Sequence, residues 1–252
     1  MRTMEIAWAL SHRELLRFLR ERSQMYWALG RPLLWLVFLG AGMHTAFRDQ
    51  TGVSYVAFLL PGVVVMSVLF GGLFSGVSTV WDRQLGFMRE MLVAPVSRTT
   101  IVGGKLLAGV TVTSLQGILT LACAPLVGVE LTPGGFLAVS ALIVLTSIGV
   151  VAMALCIAAR MTTLEGFGNI CNFVALPLFF LSGSMYPIDQ VPHWLAPAVS
   201  ANPLTYAVDA MRQVAVGGGA HPLGTDIAVL VLFAALTSAL AVVLFRRVRD
   251  AR

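Results

Sequence analysis

The sequence predicts an all-α integral membrane protein with six transmembrane helices, an N-terminal amphipathic interfacial helix and short re-entrant helices between spans five and six. Composition is the first observation: of 252 residues, 58% are hydrophobic and 12% are charged, and the mean hydropathy is +0.85. Soluble globular domains have a more polar balance. The second observation is a series of apolar runs of about 20 residues, the length that crosses roughly 30 Å of hydrocarbon as a helix. Residues 1–252 are therefore expected to form one transmembrane domain.

The segment 1–25 precedes the first long apolar run and predicts an amphipathic helix lying on the membrane surface. At helical spacing, one face collects Met4, Trp8, Leu15, Phe18 and Leu19, and the opposite face collects Arg13, Arg17 and Arg20. A cleaved signal peptide would place its apolar core near the initiator, whereas this charged region extends to Arg22. We expect the segment to lie along the inner leaflet.

Six runs are assigned as spans, at about 26–46, 55–80, 102–127, 135–159, 167–186 and 227–245. The second and the fourth contain no formal charge. Arg31 lies near the start of the first, where an arginine can extend its guanidinium to the headgroups. In the second span, Gly72 and Gly76 form a G-x-x-x-G pair, which predicts close helix packing within the bundle, with a dimer contact as the less common outcome.

The basic residues give the orientation. With six spans, 15 of the 17 lysines and arginines fall on one side, and only Arg48 and Arg212 fall on the other. The excess of positive charge marks the cytoplasmic side. Both termini are therefore expected in the cytoplasm of a bacterial cell, with the chain in the inner membrane. The net charge of +5 follows from this topology, so nucleic acid is not an expected partner.

The stretch 82–98 is the longest polar interruption on the cytoplasmic side. It mixes acidic and basic residues with apolar ones, Pro95 ends the helical pattern, and Ser97 can cap the next helix. A short helix of this kind can dock into a groove of another protein. A solvated surface loop is the alternative on composition alone.

Four motifs resemble one family. They are "RPLLWLVFLGAGM" in span one, "MLVAPVSRTTIVGGKLL" after the polar stretch, "PLFFLSGSMYP" in span five, and "PHWLAPAVSANPLTYAVDAMR" before span six. Together they are similar to type-2 ATP-binding-cassette (ABC) transporter permeases, which include permeases for antibiotic resistance and nodulation-factor export. The acidic-glycine spacing of that family is only loosely matched by Asp82, Gly86 and Glu90.

The resemblance implies a dimer of six-span permeases, each contacting a separate ATPase subunit through a coupling helix at 82–98. The residues expected to make that contact are Arg83, Arg89, Glu90, Met91, Leu92, Ala94, Pro95 and Arg98. The dimer would contain a second permease copy or a related permease, surrounded by membrane lipids. The implied function is to move an amphipathic compound out of the cytoplasm or inner leaflet. That compound would be a drug, natural product, lipid or lipid-linked glycan.

The sequence predicts no nucleotide site in this chain and no catalytic or metal-binding residues. A Walker A loop requires G-x-x-x-x-G-K-[ST]. Gly104-Lys105 is followed by Leu106, and Thr99 occupies the position of the first glycine. ATP and Mg²⁺ are therefore expected on the partner subunit, and this chain is expected to be a permease subunit without enzymatic activity.

The segment 187–203 is interpreted as an outer lid of short helices broken by proline, with few charges because it packs against its own bundle. The lid residues are Tyr186, Pro187, Pro192, Trp194, Pro197 and Pro203. A rigid plug that only packs the spans is the alternative.

Neutral polar residues in and beside the spans are candidates for a translocation path. They are Ser75, Gln116, Asn169, Asn172, Ser182 and Ser184. Ordinary interhelical hydrogen bonds are the alternative explanation. The predicted spans contain no acidic residue, which disfavours an ion-coupled secondary carrier. An intramembrane hydrolase at the "GVST" motif would need a base, and none of the four histidines lies in the interior of another span, since His44 is near one end of span one.

Overall fold

The computed structural model describes residues 30–40, 54–85 and 98–247, together with isolated helical residues at 12, 16, 20, 26 and 42. Its helices are α1 (Gly30–Gly40), α2 (Tyr55–Gln84), α3 (Arg98–Ala122), α4 (Pro133–Ala158), α5 (Leu164–Phe180), α6 (Ala196–Ala201), α7 (Pro203–Val216) and α8 (Leu223–Arg247). Short 3-10 helices occupy Ala124–Val127 and Ile188–Gln190. The described part of the chain is all-helical, as predicted.

Helices α2 and α4 form the centre of the bundle. Each packs on the other, α2 also contacts α3, α5 and α7, and α4 also contacts α3, α7 and α8. Their middle turns are fully buried, with Val64, Val65, Ile143 and Val150 at 0% exposure. A helix that is apolar on all sides is stable only when neighbouring helices or lipid surround it. The absence of charge from residues 55–80 of α2 and from all of α4 therefore explains their central position.

Four of the predicted spans are confirmed as apolar helices long enough to cross a membrane. They are Tyr55–Gln84, Thr99–Val127, Pro133–Ala158 and Leu223–Arg246. The predicted span 167–186 overlaps α5, which begins three residues earlier, ends at Phe180 and reaches about 25 Å with its 17 residues. Within the predicted span 26–46, the structure describes α1 as a shorter apolar helix. The interfacial helix at 1–25 lies almost entirely outside the described residues.

The two glycines of the G-x-x-x-G pair allow close packing inside the chain. A Cβ atom at Gly72 would lie 2.7 Å from Val150 Cγ1 in α4, and one at Gly76 would lie 2.6 Å from the ring of Phe167 in α5. Side chains cannot approach so closely. The predicted packing within the bundle is confirmed.

After α5 the chain forms a turn over residues 181–186. Gly183 adopts a positive φ of 69° at this turn, a conformation that favours glycine. Asn202 then begins α7, because its Oδ1 accepts a hydrogen bond from the Leu204 amide at 3.1 Å and Pro203 fits the first helical position. The segment between spans thus consists of short helical pieces with prolines at their starts.

Candidate functional sites at the two ends of the bundle

A set of contacts at one end of the bundle, which we name the junction clamp, joins Asp82, Arg83 and Gln84 of α2 to Lys105 of α3 and to the chain after α4. Arg83 Nη1 donates to the carbonyl of Met161 at 2.6 Å, and Nη2 donates to the carbonyl of Ala159 at 3.0 Å. These carbonyls follow the end of α4, where helical acceptors have no partner within the helix. The guanidinium therefore caps α4 from a neighbouring helix.

Two further contacts complete the junction clamp. Gln84 Nε2 donates to the carbonyl of Thr162 at 3.2 Å. Lys105 Nζ lies 2.5 Å from Asp82 Oδ2, and the two side chains are only 9% and 17% exposed. Limited solvent screening strengthens such a pair relative to one on an open surface. The end of α2 is therefore joined to both α3 and α4.

The predicted coupling segment begins at the junction clamp and ends where α3 begins. Arg83 is the one predicted ATPase-contact residue whose side chain the structure describes, and its guanidinium is occupied by the end of α4. Arg98 is the first residue of α3. The remaining residues lie outside the described residues and stay predictions: Arg89, Glu90, Met91, Leu92, Ala94 and Pro95.

One face of α5 is uncovered in the single chain. Asn169 and Asn172 are exposed on it, together with Phe173 at 79% and Leu176 at 51% exposure. The opposite face packs on the bundle through Phe167, Cys171, Ala175 and Phe179. Amide side chains facing hydrocarbon would lose their hydrogen bonds to water. The exposed amides therefore favour contact of this face with protein or water.

The other path candidates lie elsewhere. Ser75 and Gln116 are half-buried between α2 and α3, where Gln116 approaches Gly71 and Ser75 donates to the carbonyl of Gly72 at 2.6 Å. Ser182 and Ser184 are 1% exposed and hydrogen-bond each other. The structure brings Asn169 and Asn172 onto one face and leaves the four others packed in two places away from it.

The predicted lid residues divide by exposure. Trp194 is 79% exposed, and Pro192 and Pro197 are also exposed, whereas Tyr186, Pro187 and Pro203 are half-buried. Tyr186 Oη donates to the carbonyl of Phe180 at 2.7 Å. The first part of the segment is therefore fastened to the end of α5, and the middle part projects from the bundle.

A cluster of largely buried polar side chains lies beside the turn where the predicted lid begins, and it was not predicted from the sequence. We name Asp209, Arg212, Gln213, His221 and Asp226 the outer cluster. Arg212 lies with its guanidinium 3.8 Å from the centroid of the Phe58 ring, and its Nη2 donates to the carbonyl of Gly183 at 2.9 Å. Burial lowers the pKa of Arg212 to about 10, and the negative charge of Asp209 opposes that shift. The guanidinium stays charged at neutral pH and joins α7 to α2 and to the turn after α5.

The two acids of the outer cluster face His221. Asp209 accepts hydrogen bonds from the amides of Ala220 and His221, each at 2.9 Å, and Asp226 Oδ2 accepts one from Gln213 Nε2 at 2.9 Å. His221 Nδ1 lies 3.3 Å from Asp209 Oδ2 and 4.0 Å from Asp226 Oδ1. These contacts fasten the start of α8 to α7.

The position of Asp226 corrects the predicted boundary of the last span. That span was placed at 227–245, whereas α8 begins at Leu223, directly after Pro222. Asp226 therefore lies in the first turn of a membrane-length helix and is 0% exposed. The prediction that the spans contain no acid does not hold for α8. Pro222 was the sequence signal that favoured the earlier start.

The sequence profile of the family described as "ABC-2 type transporter" matches residues 6–216. That match covers most of the chain, from before α1 to the end of α7. The chain belongs to the ABC-2 type transporter family. The resemblance drawn from the four motifs is thereby confirmed, and the chain, with its apolar helices, is a multi-pass membrane protein of a transport permease family.

Relatives of this ABC-2 protein carry permease names. It is 31% identical over 186 residues to the "Putative transport permease ycf38" of Cyanophora paradoxa, which covers 72% of the chain and 64% of the relative. It is 28% identical to "Nodulation protein J" of Rhizobium meliloti, over 87% of the chain and 84% of the relative. It is also 28% identical to "Inner membrane transport permease YadH" of Escherichia coli, over 79% of the chain and 78% of the relative. The chain thus spans about two thirds to five sixths of these relatives.

Proposed function

We propose that this ABC-2 protein is the permease subunit of an ATP-driven exporter in the bacterial inner membrane. Two permease copies, or this chain and a related permease, would combine with two copies of a separate ATPase that binds ATP and Mg²⁺. The exported compound would be amphipathic: a drug, natural product, lipid or lipid-linked glycan. The observation that carries the proposal is the junction clamp. It lies at the end of α2, where the predicted coupling segment 82–98 begins.

The proposed topology has six spans. The four long apolar helices would be joined by α1 and α5 as the other two spans. In the sequence, the apolar runs 26–46 and 167–186 continue beyond the ends of these two short helices. The N-terminal segment would lie on the inner leaflet, and the short helical pieces from 187 to 203 would re-enter the outer leaflet. Both termini would be cytoplasmic, because 15 of 17 basic residues then lie inside.

Through the junction clamp, a movement of the ATPase would be transmitted to the helices of the bundle. A displacement of the segment 82–98 would act on Arg83 and Asp82, which are bonded to the end of α4 and to Lys105 of α3. Charge-assisted hydrogen bonds of this kind hold their geometry more firmly than neutral ones. The segment would therefore move α2, α3 and α4 together and open the lid at the opposite end.

The uncovered face of α5 is proposed to face the second permease and the translocation path. Asn169 and Asn172 would then contact the compound, water or the partner instead of lipid. Neutral hydrogen-bonding groups beside Phe173 and Leu176 suit an amphipathic compound better than an ion.

One observation favours a second candidate, an ion-coupled carrier. Asp226 is an acidic residue inside α8, and its Oδ1 lies 4.0 Å from His221 Nδ1. Asp226 lies in the first turn of α8 and His221 just before that helix, and not at the middle of a span, where coupling acids of carriers are usually found. The hydrolase alternative loses support because Ser78 Oγ donates to the carbonyl of Ser75 at 2.9 Å, an ordinary helical contact.

The test uses the coupling segment itself. Glu90→Ala and Arg89→Ala are made in the complex with whichever ATPase co-purifies, and substrate-stimulated ATP turnover is measured in lipid nanodiscs. Glu130→Ala serves as the matched control, because Glu130 is exposed in the connection between α3 and α4, at the opposite end of the bundle. We expect turnover to fall in the first two variants and not in the control. Equal turnover in all three would remove the coupling assignment.

A further inference from the structure

We propose that Asp209, His221 and Asp226 form a binding site for one Zn²⁺ ion between α7 and the start of α8. The three residues each offer one ligand atom, and these atoms all lie within 4.8 Å of one another. The site is separate from the junction clamp, from the uncovered face of α5 and from the predicted lid residues. It does not depend on the exporter function.

The separations suit a small cation. His221 Nδ1 lies 3.3 Å from Asp209 Oδ2 and 4.0 Å from Asp226 Oδ1. Zinc binds nitrogen and oxygen at about 2.0–2.2 Å in tetrahedral geometry, so two ligand atoms of one ion are about 3.3 Å apart. The pair of His221 and Asp209 already has that distance, and the pair of His221 and Asp226 is about 0.7 Å longer. The third pair, Asp209 and Asp226, is separated by at most 4.8 Å. Water would occupy the fourth position.

Asp226 gives an independent indication of a missing ligand. Its side chain is 0% exposed, and its Oδ1 is a buried atom without a hydrogen-bond donor in the described part of the chain. Burying a carboxylate oxygen without a partner costs free energy that a cation can recover. The same atom is directed toward His221 Nδ1. The unpartnered oxygen therefore points into the site that the ion would occupy.

The surrounding contacts hold the ligands in place. Gln213 Nε2 donates to the second oxygen of Asp226, and backbone amides donate to Asp209. The Tyr206 ring lies 5.2 Å from the imidazole, centroid to centroid. Partners of this kind orient the ligands of a metal site. The side chain of His221 is 33% exposed, which leaves an entry for the ion.

The donor set selects among metals. Mg²⁺ and Ca²⁺ prefer oxygen ligands alone, whereas imidazole with carboxylates suits Zn²⁺. Binding requires a lone pair on His221 Nδ1, the ring nitrogen that faces both carboxylates. The bound ion would join α7 to α8 across the glycine-rich connection 217–219.

The test uses the full chain without any histidine tag, with its co-purifying subunits, in nanodiscs stripped by a chelator. ZnCl₂ alone is titrated by calorimetry, and X-ray absorption at the zinc edge reports the ligands. We expect one ion per chain, with nitrogen and oxygen ligation. His221→Ala and Asp226→Asn should each weaken binding by at least the 10- to 100-fold seen on loss of a supporting partner. His193→Ala, which removes an exposed histidine from the segment 187–203, should leave binding unchanged.

Unchanged zinc affinity in His221→Ala would overturn the proposal, as would an equal loss in His193→Ala or the absence of stoichiometric binding. If Asp226→Asn fails to fold, His221→Ala decides the question, since the imidazole is partly exposed. Cobalt provides a second readout: Co²⁺ bound in the wild-type chain should give visible absorption of a tetrahedral site, lost in His221→Ala. Cobalt absorption that persists in this variant would also overturn the assignment.

Discussion

Replacing Arg212 by methionine is expected to destabilise the chain strongly. The substitution keeps an unbranched apolar side chain and removes the guanidinium that packs on Phe58 at 3.8 Å and donates to the carbonyl of Gly183 at 2.9 Å. A hydrogen bond from a charged donor contributes about 1.5–3 kcal/mol, and a desolvated cation–π contact contributes about 2 kcal/mol. Removing a buried charge recovers part of this loss. We expect the free energy of unfolding to fall by about 3 kcal/mol.

Unfolding is measured by far-ultraviolet circular dichroism in mixed micelles with an increasing fraction of denaturing detergent. Arg160→Met is the matched control, because Arg160 is exposed after the end of α4. Arg212→Lys should lie between wild type and Arg212→Met, since lysine keeps the charge and loses the planar donor geometry.

The control variant should unfold with the wild-type chain. If Arg212→Met were no less stable than Arg160→Met, the guanidinium would not hold α7 to α2 and to the turn at Gly183. The description of the outer cluster as a structural connection would then be wrong.

Three further predictions concern other parts of the bundle. Arg83→Gln should reduce stability by about 1–2 kcal/mol and lower substrate-stimulated ATP turnover, measured in the purified complex. Gly62→Ala should lower the free energy of unfolding by about 1–3 kcal/mol through overpacking, because the new Cβ would lie 2.8 Å from the Cα of Ser184. Gly103→Ala is the control, since a Cβ there would have nothing within 4 Å. Equal unfolding curves for the two variants would contradict the close packing at Gly62. Asn172→Leu should lower turnover without lowering stability, and unchanged turnover would remove it from the path.

The central spans could be predicted from the sequence because their signal is local. A run of more than 20 apolar residues without charge specifies a membrane-length helix whatever its neighbours are, and α2 and α4 confirm this. The pair Gly72 and Gly76 also carried a local signal for close packing. The four motifs also allowed the ABC permease family to be predicted, which composition alone does not allow.

The two ends of the bundle could not be predicted in the same way, because their contacts join residues far apart in the chain. Arg83 is 78 residues from Met161, and Arg212 is 154 residues from Phe58. A charge in a loop-like stretch looks solvated until its neighbours are known. Arg212 was therefore interpreted only by its side of the membrane, and Asp226 was left outside its helix. Their burial follows from how α7 and α8 pack.

The most direct test of the exporter proposal is the mass of the intact complex released gently from its native membrane, with peptide identification of its subunits. The account predicts two permease chains with two subunits that contain a Walker A sequence; a related permease in place of the second copy would also agree. A chain that leaves the membrane alone in several mild detergents, without an associated ATPase, would contradict the proposal.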